Sequence, residues 1–475
     1  MNYKMIIHTI GQLIGVSAIC LLLSSGVSFL YNEASAIWLL ITALFSGALF
    51  FASRFFKPKD TVFFAKEGLV TVALSWIILS LIGALPFFLS KEIPSYVDSL
   101  FETASGFSTT GATILDDPQV LSKGNLFWRS LTHWIGGMGV LVLLVALLPS
   151  VSGRSIHMLR AEMPGPVVGK LVPKAKQTAR LLYIIYIVLT VIEFVLLLCG
   201  GIPIFESAIH TLGTAGTGGF GYYADSMASY SPYLQWVLTA FMLIFGINFN
   251  LFFFILIKRF LQGLKSEEFW AYLGIIVSAT LLIAFNIKNT YDNFGECLRH
   301  SAFQVASYIS TTGYAVTDTN AWPTFAKYIL ILLMISGGCA GSTAGGFKLS
   351  RIILLFKVIG NRIRQVVHPR AVKVVHFEGK AMEDETVTSV LTYLAVYLFC
   401  FLLLLFILSF ESFSFETNFT ATLSVFNNVG PIFGGPSNFN AYSDFSKIVM
   451  SLAMLLGRLE IYPVLILFLP GTWKK

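Results

Sequence analysis

The stretch FSTTGATILDD, Phe107 to Asp117, is nearly repeated far downstream as ISTTGYAVTDT, Ile309 to Thr319. Both segments are short, polar and glycine-bearing, and both interrupt strongly apolar sequence. The apolar background sets the class. Of 475 residues, 56% are hydrophobic and only 12% charged, with a mean hydropathy of +0.76. Soluble domains carry about 25% charged residues, so this is an integral membrane chain, and the number of apolar runs makes it polytopic.

The remaining composition excludes several classes. The net charge of +7 is explained by lysines and arginines gathered in cytoplasmic loops rather than by a nucleic-acid surface. The cysteines, Cys20, Cys199, Cys297, Cys339 and Cys400, have no metal or redox spacing and read as small apolar fillers. The histidines form no HxxxH or HExxH pattern, so a metal hydrolase has no support. The first apolar run is followed at once by another, and no cleavable leader is expected.

A helix needs about 20 apolar residues to cross a bilayer. Ten runs qualify: 8–30, 36–55, 67–89, 128–150, 179–200, 233–257, 269–287, 325–357, 386–409 and 446–469. Four shorter semi-apolar pieces lie between them, at 94–107, 203–214, 295–309 and 415–427. They are too short to cross and read as re-entrant half-helices. With the N-terminus inside, 24 of the 32 Lys and Arg fall in inner loops. That bias sets the orientation, with both termini in the cytoplasm. All four short pieces then lie on the outer side.

The chain therefore reads as an all-α polytopic membrane protein: two leading helices (1–60), then four copies of helix, pore loop, helix (61–153, 154–264, 265–365 and 366–475) around one pore. The four copies compare as FETASGFSTTGAT, FESAIHTLGTAGTGGFG, FQVASYISTTGYA and FTATLSVFNNVGPIFGG. Each ends in small residues around a glycine: Gly111, Gly218, Gly313 and Gly430.

A half-helix that enters from outside must end within the membrane, where its last carbonyls have no internal partners. Lipid cannot satisfy them, so such backbone survives only around an aqueous path. Glycine permits unusual dihedrals and a close approach to an axis. Four such strands make rings of carbonyl oxygens that can replace the water shell of an alkali cation. The C-terminal ends of the half-helices add negative dipole. The outer segments carry Glu33, Glu92, Asp98, Glu102, Asp116, Asp117, Glu206, Asp225, Asp292, Glu296, Asp318, Glu411, Glu416 and Asp444, an acidic mouth expected to concentrate cations.

These motifs resemble the Trk/Ktr/HKT superfamily of potassium transporters, and within it the TrkH/TrkG-type membrane subunits, over nearly the whole chain. The resemblance implies a potassium uptake pore in the bacterial cytoplasmic (inner) membrane. Its selectivity filter would be formed by Thr109, Thr110, Gly111 and Ala112, by Thr217, Gly218 and Gly219, by Thr311, Thr312 and Gly313, and by Asn428, Val429 and Gly430. K+ would sit against Thr110, Gly111, Thr217, Gly218, Thr312, Gly313, Val429 and Gly430. Glycine in all four filter positions goes, in the family, with preference for K+ (and Rb+) over Na+. The family also implies a homodimer in the lipid bilayer and cytosolic nucleotide-binding RCK subunits of the TrkA type. No nucleic-acid partner and no organic cofactor are expected. The inner loops 152–178 and 359–384 are too short for a nucleotide-binding domain of about 100 residues.

Two further segments stand out. ISGGCAGSTAGGFKLSR, Ile335 to Arg351, places Gly337, Gly338, Gly341, Ser342, Thr343, Gly345 and Gly346 inside an apolar run. Gly337, Gly341 and Gly345 have GxxxG spacing, which suits tight helix packing. So much glycine also weakens a helix, by about 1 kcal/mol each relative to alanine, and the resemblance implies an intramembrane gating loop here. In LLGRLEIYP, Leu455 to Pro463, Arg458 is a charge within a span. It faces either the pore or an ion-pair partner such as Glu193. The resemblance favours the pore, where it would oppose cation leak. A membrane-embedded enzyme would need converging acid, base or metal groups, and the spans offer only Arg458, Glu193 and Glu460 as isolated charges. Broken mid-membrane helices also serve symporters, so sodium- or proton-coupled potassium uptake, or a less selective K+/Na+ path, stands as the alternative.

Overall fold

In the computed structural model, residues 1–56, 65–139, 175–256, 258, 263–368, 374–436 and 438–473 are described. Among them, six helices are long and apolar enough to cross a membrane: Tyr3–Leu30, Ser35–Phe56, Lys66–Leu89, Gln177–Cys199, Glu267–Asn286 and Asp384–Leu408. The first two form a hairpin. Lipid gives helices no hydrophobic reason to associate, so close packing and hydrogen bonds must hold them. Ser25 Oγ donates to the Ala36 carbonyl at 2.9 Å, and Ser28 and Ser35 share a hydroxyl contact at 2.7 Å. The outer surfaces of the long helices carry bare apolar side chains, with Leu30, Phe399 and Phe406 more than half exposed, as lipid contact requires.

Each of the other four long helices is followed by a half-helix: Tyr96–Phe107, Ile204–Ala215, Phe294–Ile309 and Phe415–Asn427. Ser95, Asn293 and Ser414 cap three of their N-termini, each accepting a backbone N–H three residues on. Such caps contribute about 1 kcal/mol each. Every half-helix has an acidic residue in its first turn, Asp98, Glu206, Glu296 or Glu416, which complements the helix dipole.

After each half-helix the chain turns back through a second helix, and here the structure shortens or breaks the expected spans, including 325–357, whose glycines already pointed to a break. These helices cover Lys123–Gly137, Pro232–Phe245, Thr324–Ser336 and Asp444–Arg458. All four are short, 13 to 15 residues. In the second repeat the chain bends by 93° between Pro232–Phe245 and Phe249–Ile255. In the third, a non-helical loop separates Ser336 from the next helix, Leu349–Val367. In the fourth, Glu460 and Ile461 take positive φ, 57° and 68°, and the chain restarts as a short turn at Tyr462. The latter part of the expected span 128–150 lies outside the described residues, as do most of the inner loop 152–178 and parts of the neighbouring loops. Both chain ends lie on one face: Tyr3 Oη reaches the Trp473 carbonyl at 3.4 Å, and Lys66 Nζ reaches that of Gly471 at 2.9 Å.

Candidate ion pathway

The four half-helices end in the same way. A residue in the left-handed region follows the helix: Thr109 (φ 56°), Thr217 (54°), Thr311 (56°) and Asn428 (57°). The next N–H closes back on a helix carbonyl, Thr110 on Ser105 at 2.9 Å, Gly218 on Gly213 at 2.9 Å, Thr312 on Ser307 at 2.8 Å and Val429 on Ser424 at 3.0 Å. This is a Schellman ending, which commonly has glycine or asparagine at the left-handed position. Threonine there is strained, on the order of 1–2 kcal/mol, and strain of this kind gathers at functional sites. A glycine of positive φ comes next: Gly111 (75°), Gly219 (74°), Gly313 (84°) and Gly430 (103°).

These glycines touch one another's repeats in a closed cycle. A Cβ on Gly111 would lie 2.1 Å from the Gly218 carbonyl oxygen, and one on Gly219 would lie 1.8 Å from that of Thr312. On Gly313 it would lie 2.1 Å from the Val429 oxygen, and on Gly430 2.8 Å from that of Thr110. Each glycine thus abuts the carbonyl just before the glycine of the next repeat, and the fourth returns to the first. No other residue type fits at that distance. The cycle also corrects the reading of the second repeat. The glycine that takes part in the cycle there is Gly219, one residue later than the expected Gly218, because the Schellman bond falls on Gly218 and Gly219 is the one that meets the third repeat.

Side chains lock the segments. The hydroxyls of Ser108 and Thr110, and of Ser310 and Thr312, pair at 2.7 Å. Asn428 Nδ2 donates to Thr110 Oγ1 at 2.9 Å and to the Met454 carbonyl at 2.8 Å. Ala112 is buried just beyond Gly111. Beside it lies a pair that the sequence reading missed. Glu102, counted above as a mouth carboxylate, is fully buried and receives Arg129 Nε at 2.6 Å. It also accepts from Thr113 Oγ1 at 2.9 Å and the Ile114 amide at 3.1 Å, holding the segment that follows Gly111. The Arg129 guanidinium lies 3.4 Å from the ring centre of Phe220, the residue after Gly219. Two opposite charges within apolar stretches were the signal available.

Other carboxylates of the expected acidic mouth are likewise engaged in structure. Asp98 pairs with Lys447 at 2.6 Å, and Glu416 with Lys327 at 3.6 Å. Glu33 caps the helix at Lys123 and Gly124 at 2.8 and 3.1 Å. Glu411 accepts from the Ser443 amide at 3.1 Å. Burial alone would raise the Glu411 carboxyl, but hydrogen bonds from Ser443 and Ser446 hold it below its ordinary value.

The glycine-rich segment is a loop, not a packed GxxxG helix. Gly337, Gly341 and Gly346 have φ of 63°, 69° and 80°. Its ends meet backbone to backbone: a Cβ on Gly337 would lie 2.3 Å from the Gly345 oxygen. The loop is seated directly against the ends of the third and fourth half-helices. The Gly345 amide donates to Thr311 Oγ1 at 2.6 Å, and a Cβ there would be 2.5 Å from the Asn427 oxygen. On the other side it is stitched to the bend of the second repeat. The Cys339 amide reaches the Gly246 carbonyl at 3.0 Å, Thr343 Oγ1 that of Phe245 at 3.1 Å, and the Phe249 amide that of Gly341 at 3.1 Å. A Cβ on Gly338 would lie 2.7 Å from Ala344 Cβ and 3.0 Å from the Gly246 oxygen, and Ser342 Oγ donates to the Cys339 carbonyl within the loop at 2.6 Å.

Arg458 closes this region. Its guanidinium donates to the Thr343 carbonyl at 2.6 Å, to that of Gly136 at 2.6 Å, and to that of Gly137. It therefore ties the loop to the C-terminal carbonyls of Lys123–Gly137, where the helix dipole favours a cation. Glu460 is engaged elsewhere, by Arg351. Glu193 is buried on Gln177–Cys199, and the partners shown for Arg458 are these backbone carbonyls.

Comparison with known proteins bears on the fold and the family. A model of the TrkH family, described as cation transport protein, matches residues 32–285 and 286–474. The Trk system potassium uptake protein TrkG of Escherichia coli is 32% identical over 100% of this chain and 99% of its own. The corresponding TrkH of Escherichia coli is 32% identical over 100% of both chains. The crystal structure of the potassium transporter TrkH from Vibrio parahaemolyticus superposes with a TM-score of 0.89 at 29% identity, covering 100% of both chains. The chain belongs to the TrkH family of cation transport proteins.

Proposed function

We propose that this chain is the membrane subunit of a bacterial potassium uptake system and passes K+ through one central pore made by the four repeats 61–153, 154–264, 265–365 and 366–475. The observation that carries the proposal is the closed cycle of glycine-to-carbonyl contacts through Gly111, Gly219, Gly313 and Gly430. Carbonyls so placed can strip and replace the water of an alkali cation, since the oxygens are fixed before the ion arrives. The names of the relatives, potassium uptake proteins of the Trk system, support K+ as the cargo. The common face of the two chain ends and the basic inner loops support cytoplasmic termini in the inner membrane.

The loop 337–348 and Arg458 act as the gate on the cytoplasmic side of the filter. The loop lies across the ends of the third and fourth half-helices, and Arg458 adds a fixed positive charge beside it. A homodimer joined to cytosolic nucleotide-binding RCK subunits of the TrkA type would control that gate, as the Trk system name of the relatives suggests. The test is uptake of labelled Rb+ and Na+ by proteoliposomes, with and without sodium and proton gradients. Selective Rb+ uptake that runs down its own gradient is the expected result. Uptake that requires a fixed ratio of Na+ or H+ would replace the pore with a symporter.

A further inference from the structure

Residues 376–381 form a small hairpin on the cytoplasmic side, with His376 paired to Ala381 and Phe377 to Lys380. Its two turn residues, Glu378 and Gly379, have φ of 52° and 72°. Hairpins of this shape usually place Asn, Asp or Gly first. Glutamate there is strained, and its carboxylate reaches a distant helix. Glu378 Oε1 accepts from Ser266 Oγ at 2.9 Å and from the Glu268 amide at 3.1 Å. It thus caps the N-terminus of Glu267–Asn286 from 110 residues away in sequence.

The capped residue is itself joined to the loop. Glu268 is buried, only 4% exposed, and its Oε1 accepts from the Ala340 amide at 2.8 Å. A second strut runs alongside: Lys357 Nζ, on Leu349–Val367, donates to Glu267 and to the His376 carbonyl at 2.8 Å. Phe377 packs on Leu354 and Val390, which seats the hairpin on the helix that leaves the loop. The loop 337–348 is therefore held at Ala340 by a carboxylate whose own position is set by the hairpin.

We infer that Glu268 is a positioning residue for the loop, and that Glu378 and the 376–381 hairpin form a latch through which the cytoplasmic face sets that position. The inference rests on the reading of 337–348 as the gate. Glu378 and Lys380 are exposed at the hairpin tip, within reach of a cytosolic partner. Lifting the hairpin takes the cap from Glu267–Asn286 and frees Glu268 to shift. Ala340 then loses its fixed acceptor, and the loop can leave the filter.

The test measures Rb+ uptake per folded molecule, the Rb+/Na+ ratio and folded yield for Glu268→Ala, Glu268→Gln, Glu378→Ala and the double alanine variant. Arg458→Ala is measured in the same series. Glu268→Ala and Glu378→Ala are expected to raise basal uptake several-fold and leave the ion ratio unchanged. Glu268→Gln keeps an oxygen for the Ala340 amide and should stay near the parent. The two alanine changes act in series, so the double variant should exceed neither single one by much. Unchanged uptake per folded molecule in both single variants, with Arg458→Ala raised, overturns the latch and leaves the gate standing. Fully additive effects also overturn it. If Arg458→Ala is inert as well, the gate reading itself falls and the latch with it.

Discussion

Gly219→Ala is the sharpest probe of the ring. An added Cβ would lie 1.8 Å from the Thr312 carbonyl oxygen, whereas real Cβ contacts stay beyond 3.0 Å, so the third strand must give by more than about 1 Å. That oxygen is backbone, and the amides on either side of it in the chain, Thr312 and Gly313, both reach the Ser307 carbonyl, at 2.8 and 3.4 Å. The φ of 74° at Gly219 adds about 1–2 kcal/mol for any L side chain. A carbonyl moved this far no longer replaces ion hydration in the same geometry. A loss of about 1.4 kcal/mol in discrimination is a factor of ten. The Rb+/Na+ uptake ratio in proteoliposomes should therefore fall about tenfold. Gly221→Ala is the internal control, since its Cβ would meet nothing closer than 3.4 Å. An unchanged ratio in Gly219→Ala, or an equal loss in Gly221→Ala, would refute the register.

Arg458→Ala should raise basal Rb+ uptake, because a charge about 6 Å from the ion at an effective dielectric near 20 opposes it by about 3 kcal/mol, or roughly a hundredfold. Arg458→Lys should fall between, since a point-charge ammonium cannot span the three carbonyls the guanidinium holds; lower uptake and lower folded yield in Arg458→Ala would count against the barrier. Glu102→Gln leaves Arg129 buried without its counter-charge and should destabilise the protein by about 3–5 kcal/mol, read by thermal unfolding in detergent, with much of the loss recovered in Glu102→Met/Arg129→Met. An unchanged melting temperature would show that the pair does not brace the segment that follows Gly111. Glu411, held below its ordinary 4.5 by Ser443 and Ser446, contributes stability above that pH and loses it as acid protonates the folded form. Glu411→Gln should flatten the acid limb of a pH–stability series below about pH 4.5, and an identical limb would dismiss the contact.

The membrane class, the four half-helices, the glycines of repeats one, three and four, and the loop at Gly337 were all legible in the chain. Each is a local property. Apolar run length, basic residues in loops and glycine density act within a few residues, so they survive without tertiary context. The second repeat was not legible for the same reason. TAGTGGFG offers several glycines, and local preference does not choose among them. The choice came from the Thr312 carbonyl, which only the assembled ring brings to Gly219. The breaks in the second helices were partly hidden because hydropathy reports burial in lipid and not continuity of hydrogen bonding. An apolar run reads the same whether its helix continues past Phe245 or bends there. The ion pair of Glu102 with Arg129, the carbonyl seat of Arg458 and the reach of Glu378 to Glu268 join positions distant in sequence. Charges in apolar sequence announce that a partner exists, but which partner is decided by how the repeats close around the centre.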